Sequence, residues 1–469
     1  MDVKTKKQIL LILIIPLLFF SCELFDILPG TDGNFWAMDN SRNGASYRVN
    51  ADLVVEGTHC KIWLEKGSNL QWSDVKKIAD VFDKKIYPNM IDYFSPDAFI
   101  FEGIPFNNTL EFADWLVNGD GKLCILLLDI RDNYEEGVND AYVAGYFSSY
   151  DLYSGIASNR RAMIYIDINQ GIKGPKGVEE VYRTIAHETQ HLMNYAARVV
   201  KSNPRSPSVV DTWLDEGLSS AAEYIFMKEH STDRYEWFFN NGTASINGLI
   251  DRGNNFYVWG NRRNENVYAL LDDYATVYMF FQWLRLQTGD FSVYKKIISS
   301  DSNNYNAVLD ALNHDLGAQF DWRTLLKTWH AANYINADKG LYGYWGENEF
   351  RNRKIPVMPE ISKSVQLFSG EGVYSLIDKS SQKPQASGNI RYTSLIVDSA
   401  SVDDSGFEAG NILLTYNTST NISSSFTETG ITTGTSPSQG INLSPHNISI
   451  GRSLVSAPLT IPLRVGAGE

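Results

Sequence analysis

The sequence predicts an α+β protein: a sheet-forming first part, a helical middle and a C-terminal part that returns to short β-like runs. Three observations predict this. Two apolar runs of strand length, CILLLDI at 124–130 and AMIYIDI at 162–168, precede residue 170. From 178 to 357 apolar residues recur at three- and four-residue steps, the period of helices packed on a core. After Pro359, Ser, Thr, Asn and Gly dominate, and runs such as IRYTSLIVD and NILLTY alternate with polar tracts.

The chain has 469 residues, which as a prior suggests more than one structural unit. Its composition is that of an ordinary folded protein, 43% hydrophobic and 20% charged. The formal net charge of −14 leaves no basic footprint for phosphates, so no nucleic-acid partner is expected. At the start, Lys4, Lys6 and Lys7 precede an apolar stretch at 9–20, the pattern of an export signal. The stretch is shorter than the ~20 residues a spanning helix needs. It ends in Phe-Phe-Ser-Cys, which resembles a bacterial lipoprotein box with Phe19 where Leu usually stands. The resemblance implies cleavage before Cys22, a lipid on Cys22, attachment to a membrane through that lipid, and a place in the bacterial cell envelope.

The expected organisation is a signal peptide at 1–21 and a Gly- and Pro-punctuated tether at 22–45. An α/β part at 46–230, a helical subdomain at 231–357 and a β-rich appendage at 358–469 follow, with parts of 418–438 disordered. Within it, 46–56 has strand character. Residues 73–91 read as a helix with Ser73 as N-cap and a kink at Pro88. NGDGK at 118–122 reads as a turn, since a calcium loop would need more carboxylates. Cys60 and Cys124 allow a disulfide in an exported protein, or two buried thiols. Their spacing is not that of zinc ligands.

Residues 178–200 place Val181, Ile185, Leu192, Ala196 and Val199 on one helical stripe. His187 and His191, in His-Glu-Thr-Gln-His, lie together about a quarter-turn away. Being i and i+4, they can share one tetrahedral zinc ion. Neutral imidazoles bind Zn²⁺ without cancelling its charge, and such an ion lowers the pKa of a water towards ~7. Glu188 lies between the two stripes, where it can take a proton as general base and return it to a leaving amine. Five residues arise by chance often enough that the surroundings must support the reading. TWLDEGLSSAAEYIF supplies that support, with Glu216, Ser220 and Glu223 on one helix side and Leu214, Leu218, Ala221 and Ile225 on the other. Glu216 can be the third ligand, and Glu223 can accept a hydrogen bond from a ligand histidine. His330, on an apolar helix, reads as a packed core residue.

His187-Glu188-Thr189-Gln190-His191 followed by Trp213-Leu214-Asp215-Glu216-Gly217 resembles the gluzincin metallopeptidases. With FDKKIYPNM, NGDGKLCILLLDI and SNRRAMIYIDI, residues 75–345 most resemble the hyicolysin family of secreted zinc metallopeptidases. The resemblance implies a gluzincin core, a zinc cofactor and a protein or peptide substrate. It implies that AMIYIDI is an edge strand pairing with the substrate backbone, and that Tyr274, or next Tyr278, donates to the developing oxyanion. Aminopeptidases carry Gly-x-Met-Glu-Asn on that strand. Here Arg161-Ala162-Met163-Ile164-Tyr165 lacks the Glu, which favours an endopeptidase. One departure is the 24 residues between His191 and Glu216, more than in the aminopeptidase N family. The rival reading is a surface lipoprotein that binds envelope or host proteins and keeps a vestigial zinc site.

Overall fold

A computed structural model describes residues 33–42, 44–95, 121–135, 142–152, 157–172, 177–201, 208–242, 247–266, 268–358, 365–379, 381, 383–422 and 427–429. The signal peptide, Cys22 and most of NGDGK lie outside them. Among the described residues no helix is long and apolar enough to cross a membrane.

The first part is a six-stranded mixed sheet in the order β1-β2-β3-β4-β6-β5. Its strands are β1 (Asn34–Asp39), β2 (Ala45–Glu56), β3 (Cys60–Glu65), β4 (Leu123–Leu128), β5 (Gly145–Phe147) and β6 (Met163–Asp167). β4 pairs in parallel with β3 and with β6, while β5 pairs antiparallel with β6. Every residue of β4 and β6 is buried, which is why both read as unbroken apolar runs. One face packs Ile62, Ile125, Leu127, Ile164 and Ile166 against helices. The other packs Trp63, Leu126, Tyr146, Met163 and Tyr165 against Phe35, Ala37, Val49 and Ala51 of the curled β1–β2 hairpin.

Two expectations change here. The stretch 22–45 is not all tether, because β1 lies within it and pairs with β2. The outer edge of β1 is closed by side chains. Asn159 Oδ1 accepts from Trp36 N–H (2.8 Å), Asn159 Nδ2 donates to Trp36 O (2.8 Å), and Tyr146 Oη accepts from Met38 N–H (2.9 Å). Nor is AMIYIDI an edge strand, since β6 lies between β4 and β5. The short β5 is the end of the sheet among the described strands. Cys60 and Cys124 are buried thiols outside any disulfide. They sit on adjacent strands but in opposite cores, so no disulfide joins them.

The helix expected at 73–91 starts one residue earlier, with Gln71 rather than Ser73 as N-cap. It is interrupted by a π turn at Phe82–Ile86 between α1 (Trp72–Val81) and α2 (Tyr87–Phe94). Pro88 has no N–H to donate and its ring would crowd the carbonyl four residues back, which the wider turn relieves. The helical middle comprises α3 (Val178–Lys201), α4 (Thr212–Met227), α5 (Thr232–Asn240), α6 (Ala269–Thr288), α7 (Ser292–Ser299), α8 (Tyr305–Leu316) and α9 (Trp322–Ile335).

The C-terminal part forms a four-stranded sheet of β8 (Gly372–Leu376), β9 (Ile390–Ile396), β10 (Ser401–Asp403) and β11 (Ile412–Asn417), in the order β10-β9-β11-β8. A separate pair joins β7 (Val365–Leu367) to β12 (Thr427–Thr429). The sheet is not a detached appendage: Tyr374, Leu395, Leu414 and Tyr416 belong to the same apolar core as α9 and the helices before it. Arg262 forks onto both carboxylate oxygens of buried Glu371 (3.1 and 2.8 Å). His330, fully buried on α9, donates from Nε2 to Gly370 O (3.1 Å) and accepts at Nδ1 from Asn254 (3.2 Å). Burial drives its pKa down to about 3, so it is a neutral packing residue as expected.

Candidate metal centre

Helix α3 begins after Gly177, whose φ of +64° suits glycine, and has Glu179 and Glu180 in its first turn, favourable for the helix dipole. The expected stripe is buried, but so is the polar side next to it: Thr184, His187, Glu188, Gln190, His191 and Asn194 are all buried. Polar groups are placed inside a protein only with partners. Here α4 supplies partners to His187, Gln190, His191 and Asn194.

His187 and His191 lie one turn apart, ring centroids 4.8 Å from each other. Glu216 Oε2 faces both, 3.4 Å from His187 Nε2 and 3.7 Å from His191 Nε2. These three atoms are buried and none has a hydrogen-bond partner. Three orphaned donor atoms pointing at one space are costly unless something fills it, and two imidazoles with one carboxylate suit a zinc-type cation. Among the described residues this is the one group of three or more such side chains with ligand atoms within 4.8 Å of one another.

Each imidazole is held from behind. His187 Nδ1–H donates to Glu223 Oε1 (2.6 Å). His191 Nδ1–H faces Asp215 Oδ2 (2.9 Å) and Ser219 Oγ (3.1 Å). Asn194 Nδ2 fixes Asp215 (2.6 Å), and Ser219 Oγ–H donates to Gln190 (2.6 Å). Both Nδ1 atoms are thus donors, which leaves each Nε2 lone pair for the shared space. Asp215 was not among the residues singled out in the sequence. Its signal was there, since 215 and 219 are i,i+4 on the helix that carries Glu216.

Burial opposes charge on His187, but Glu216 and Glu223 outweigh it and raise its pKa to about 10. His191 is also raised, Asp215 and Glu216 overcoming its burial. Glu223 is lowered despite burial, chiefly by His187. Without a metal the site therefore favours imidazolium, and metal uptake must displace protons. Glu188 is fully buried on α3, and its charge reaches His187.

The 24 residues between His191 and Glu216 prove compatible with this geometry. Helix α3 runs on to Lys201 and α4 starts at Thr212, so the connection itself is only 202–211. Its end is pinned by Asn303, which donates to Ser208 Oγ (2.7 Å) and Val209 O (3.0 Å). Trp213 anchors α4, its ring packing against Phe256, Phe280 and Phe281. Gly217, beside Glu216, lets α6 approach: a Cβ there would meet Phe281 Cε2 at 2.1 Å. Gly217→Ala is therefore expected to destabilise the protein by ~1–3 kcal/mol, more than the ~1 kcal/mol a helix gains from Gly→Ala. A melting temperature equal to or above that of wild type would contradict this contact.

Tyr274, in the second turn of α6, is buried with its ring edge-on to Trp259 (4.9 Å) and beneath the Arg234 guanidinium (4.5 Å). Trp259 belongs to the connection between α5 and α6. That loop is held to α6 by Asp272, which accepts from Leu249 N–H (2.8 Å), and by Asp273, which accepts from Gly260 N–H (2.6 Å). Tyr278 is committed elsewhere: its hydroxyl accepts from Ser231 N–H (3.2 Å) and bonds His230 Nδ1 (2.7 Å).

Fold and site together define an α+β protein with a buried His-His-Glu metal-type centre on two packed helices. No protein-family model matches the chain. Over 312 residues it is 27% identical to the neutral metalloprotease ShpI of Staphylococcus hyicus, a match that takes in 66% of this chain. The chain spans 64% of the length of that relative. The match supports the resemblance to secreted zinc metallopeptidases drawn from the motifs.

Proposed function

We propose that this chain is a zinc-dependent endopeptidase in which His187, His191 and Glu216 hold the ion. The observation that carries the reading is the set of three orphaned donor atoms, each imidazole backed by a carboxylate. The metalloprotease relative supports it. A bound zinc ion supplies Lewis acidity for a peptide carbonyl and acidifies a water. Glu188 takes a proton from the attacking water and delivers it to the leaving nitrogen. Glu223 and Asp215 orient the ligand imidazoles. Tyr274 donates to the developing oxyanion.

β5 replaces β6 as the strand that aligns the substrate backbone. Gly145 lets it lie close to α3, where an added Cβ would meet Thr184 Cγ2 at 2.7 Å. The stretch Ala144-Gly145-Tyr146-Phe147-Ser148-Ser149 again offers no carboxylate to bind a free amino terminus, consistent with internal cleavage. Export and a lipid on Cys22, which would place the enzyme at the cell envelope, remain part of the proposal and rest on the N-terminal sequence.

The test is cleavage of casein by purified residues 23–469. Zinc-loaded protein is expected to cleave, metal-stripped protein to lose at least ~99% of that activity, and zinc to restore it. Cleavage that survives stripping overturns the mechanism. No cleavage by zinc-loaded protein favours the binding lipoprotein.

A further inference from the structure

Arg234 is 6% exposed, yet it donates no hydrogen bond and makes no ion pair among the described residues. Its one direct partner is the ring of Tyr274. It stands in the first turn of α5, where the helix dipole disfavours a cation, so the helix gains nothing from it. Its charge helps, after His187, to keep Glu223 ionised, but no hydrogen bond or ion pair joins the two. One oxygen of Glu223 is taken by His187 (2.6 Å) and the other faces Arg183 (3.9 Å). Among the described residues no acceptor meets its five N–H donors, so the fork is available to an acceptor from outside. The stacked tyrosine fixes the plane of the fork, the arrangement that suits two parallel bonds to a carboxylate.

We propose that Arg234 is a specificity-determining residue that receives a substrate carboxylate, either an acidic side chain or a free C-terminus, close to the scissile bond. The inference rests on the peptidase reading for its location, because Tyr274 beneath Arg234 is the proposed oxyanion donor. An ammonium would not serve equally, as it lacks the planar fork.

Two matched peptide pairs distinguish the sources. One pair differs by a C-terminal carboxylate or carboxamide, the other by Glu or Gln at each position flanking the cleaved bond. In zinc-loaded protein, the carboxylate member of one pair is expected to be favoured ~10–100-fold in kcat/KM, the range of a charge-assisted hydrogen bond. Arg234→Gln should bring that ratio to about one, and Arg234→Lys should restore it in part. The same pairs are titrated by calorimetry against the zinc-loaded Glu188→Gln variant, with and without Arg234→Gln. This binding arm needs no turnover. If wild type cleaves nothing, the peptidase reading fails and the binding ratio alone decides for or against Arg234. Equal binding and cleavage of both members of both pairs, or a preference that persists in Arg234→Gln, overturns the proposal. Should Arg234→Gln fail to fold, an undiminished preference in Arg234→Lys does the same.

Discussion

Replacing Glu188 with Gln is expected to abolish peptide hydrolysis while leaving the metal bound. General acid–base groups contribute ~10²–10⁴-fold, and here one carboxylate would serve both the attack and the departure of the amine, so a loss of ~10³-fold or more in kcat is expected. Gln has nearly the same shape, so the fully buried position on α3 stays filled and the α3–α4 packing survives. Glu188 is not one of the three converging donors, so zinc content should stay at one ion per chain. Casein turnover and metal analysis on the same sample check both halves. Turnover within tenfold of wild type would remove Glu188 from the mechanism. Loss of zinc alongside activity would move it into the ligand set.

The second large effect belongs to Glu216. Glu216→Ala removes the one anionic donor and leaves two imidazoles without a third donor between α3 and α4. Zinc affinity is expected to fall well beyond the ~10–100-fold that loss of a group behind a ligand typically costs. Competition against a chelating dye of known affinity measures it. The same change removes one of the three carboxylates that raise His187, so the metal-free imidazole titrates lower. A variant that still holds zinc within threefold of wild type would mean that the third donor is a different residue.

Much of this was legible because it is local. Helices α3 and α4 announce themselves by period, and the candidate donor set follows from the step of four between His187 and His191 on α3 and from Glu216 on the polar side of α4. β4 and β6 are legible because strands covered on both faces have no polar residues to blur them. Strand order was not legible, because it is set by partners far apart in the chain. β1 sits in a stretch whose glycines suggest a linker, and its outer edge is satisfied by Asn159, Tyr146 and Tyr165, more than a hundred residues away. β5 spans three residues, too few for any periodicity to register, so the strand beside it took its place in the sequence reading. Arg234 gave no signal at all. An arginine in a polar stretch reads as a surface residue until its burial is seen.

The sealing of β1 gives the sheet a direction in which it can still grow. With one end closed by side chains, a further strand can join the described sheet only at β5, against the helix that bears the two histidines. A peptide to be cut and a strand from a second copy of the chain would therefore want the same berth. Short open edges are one way in which proteins avoid pairing with themselves. At three residues, all of them buried, β5 is too short to template a sheet. The brevity that hid the strand in the sequence would then be what keeps this edge from pairing with a second copy of the chain.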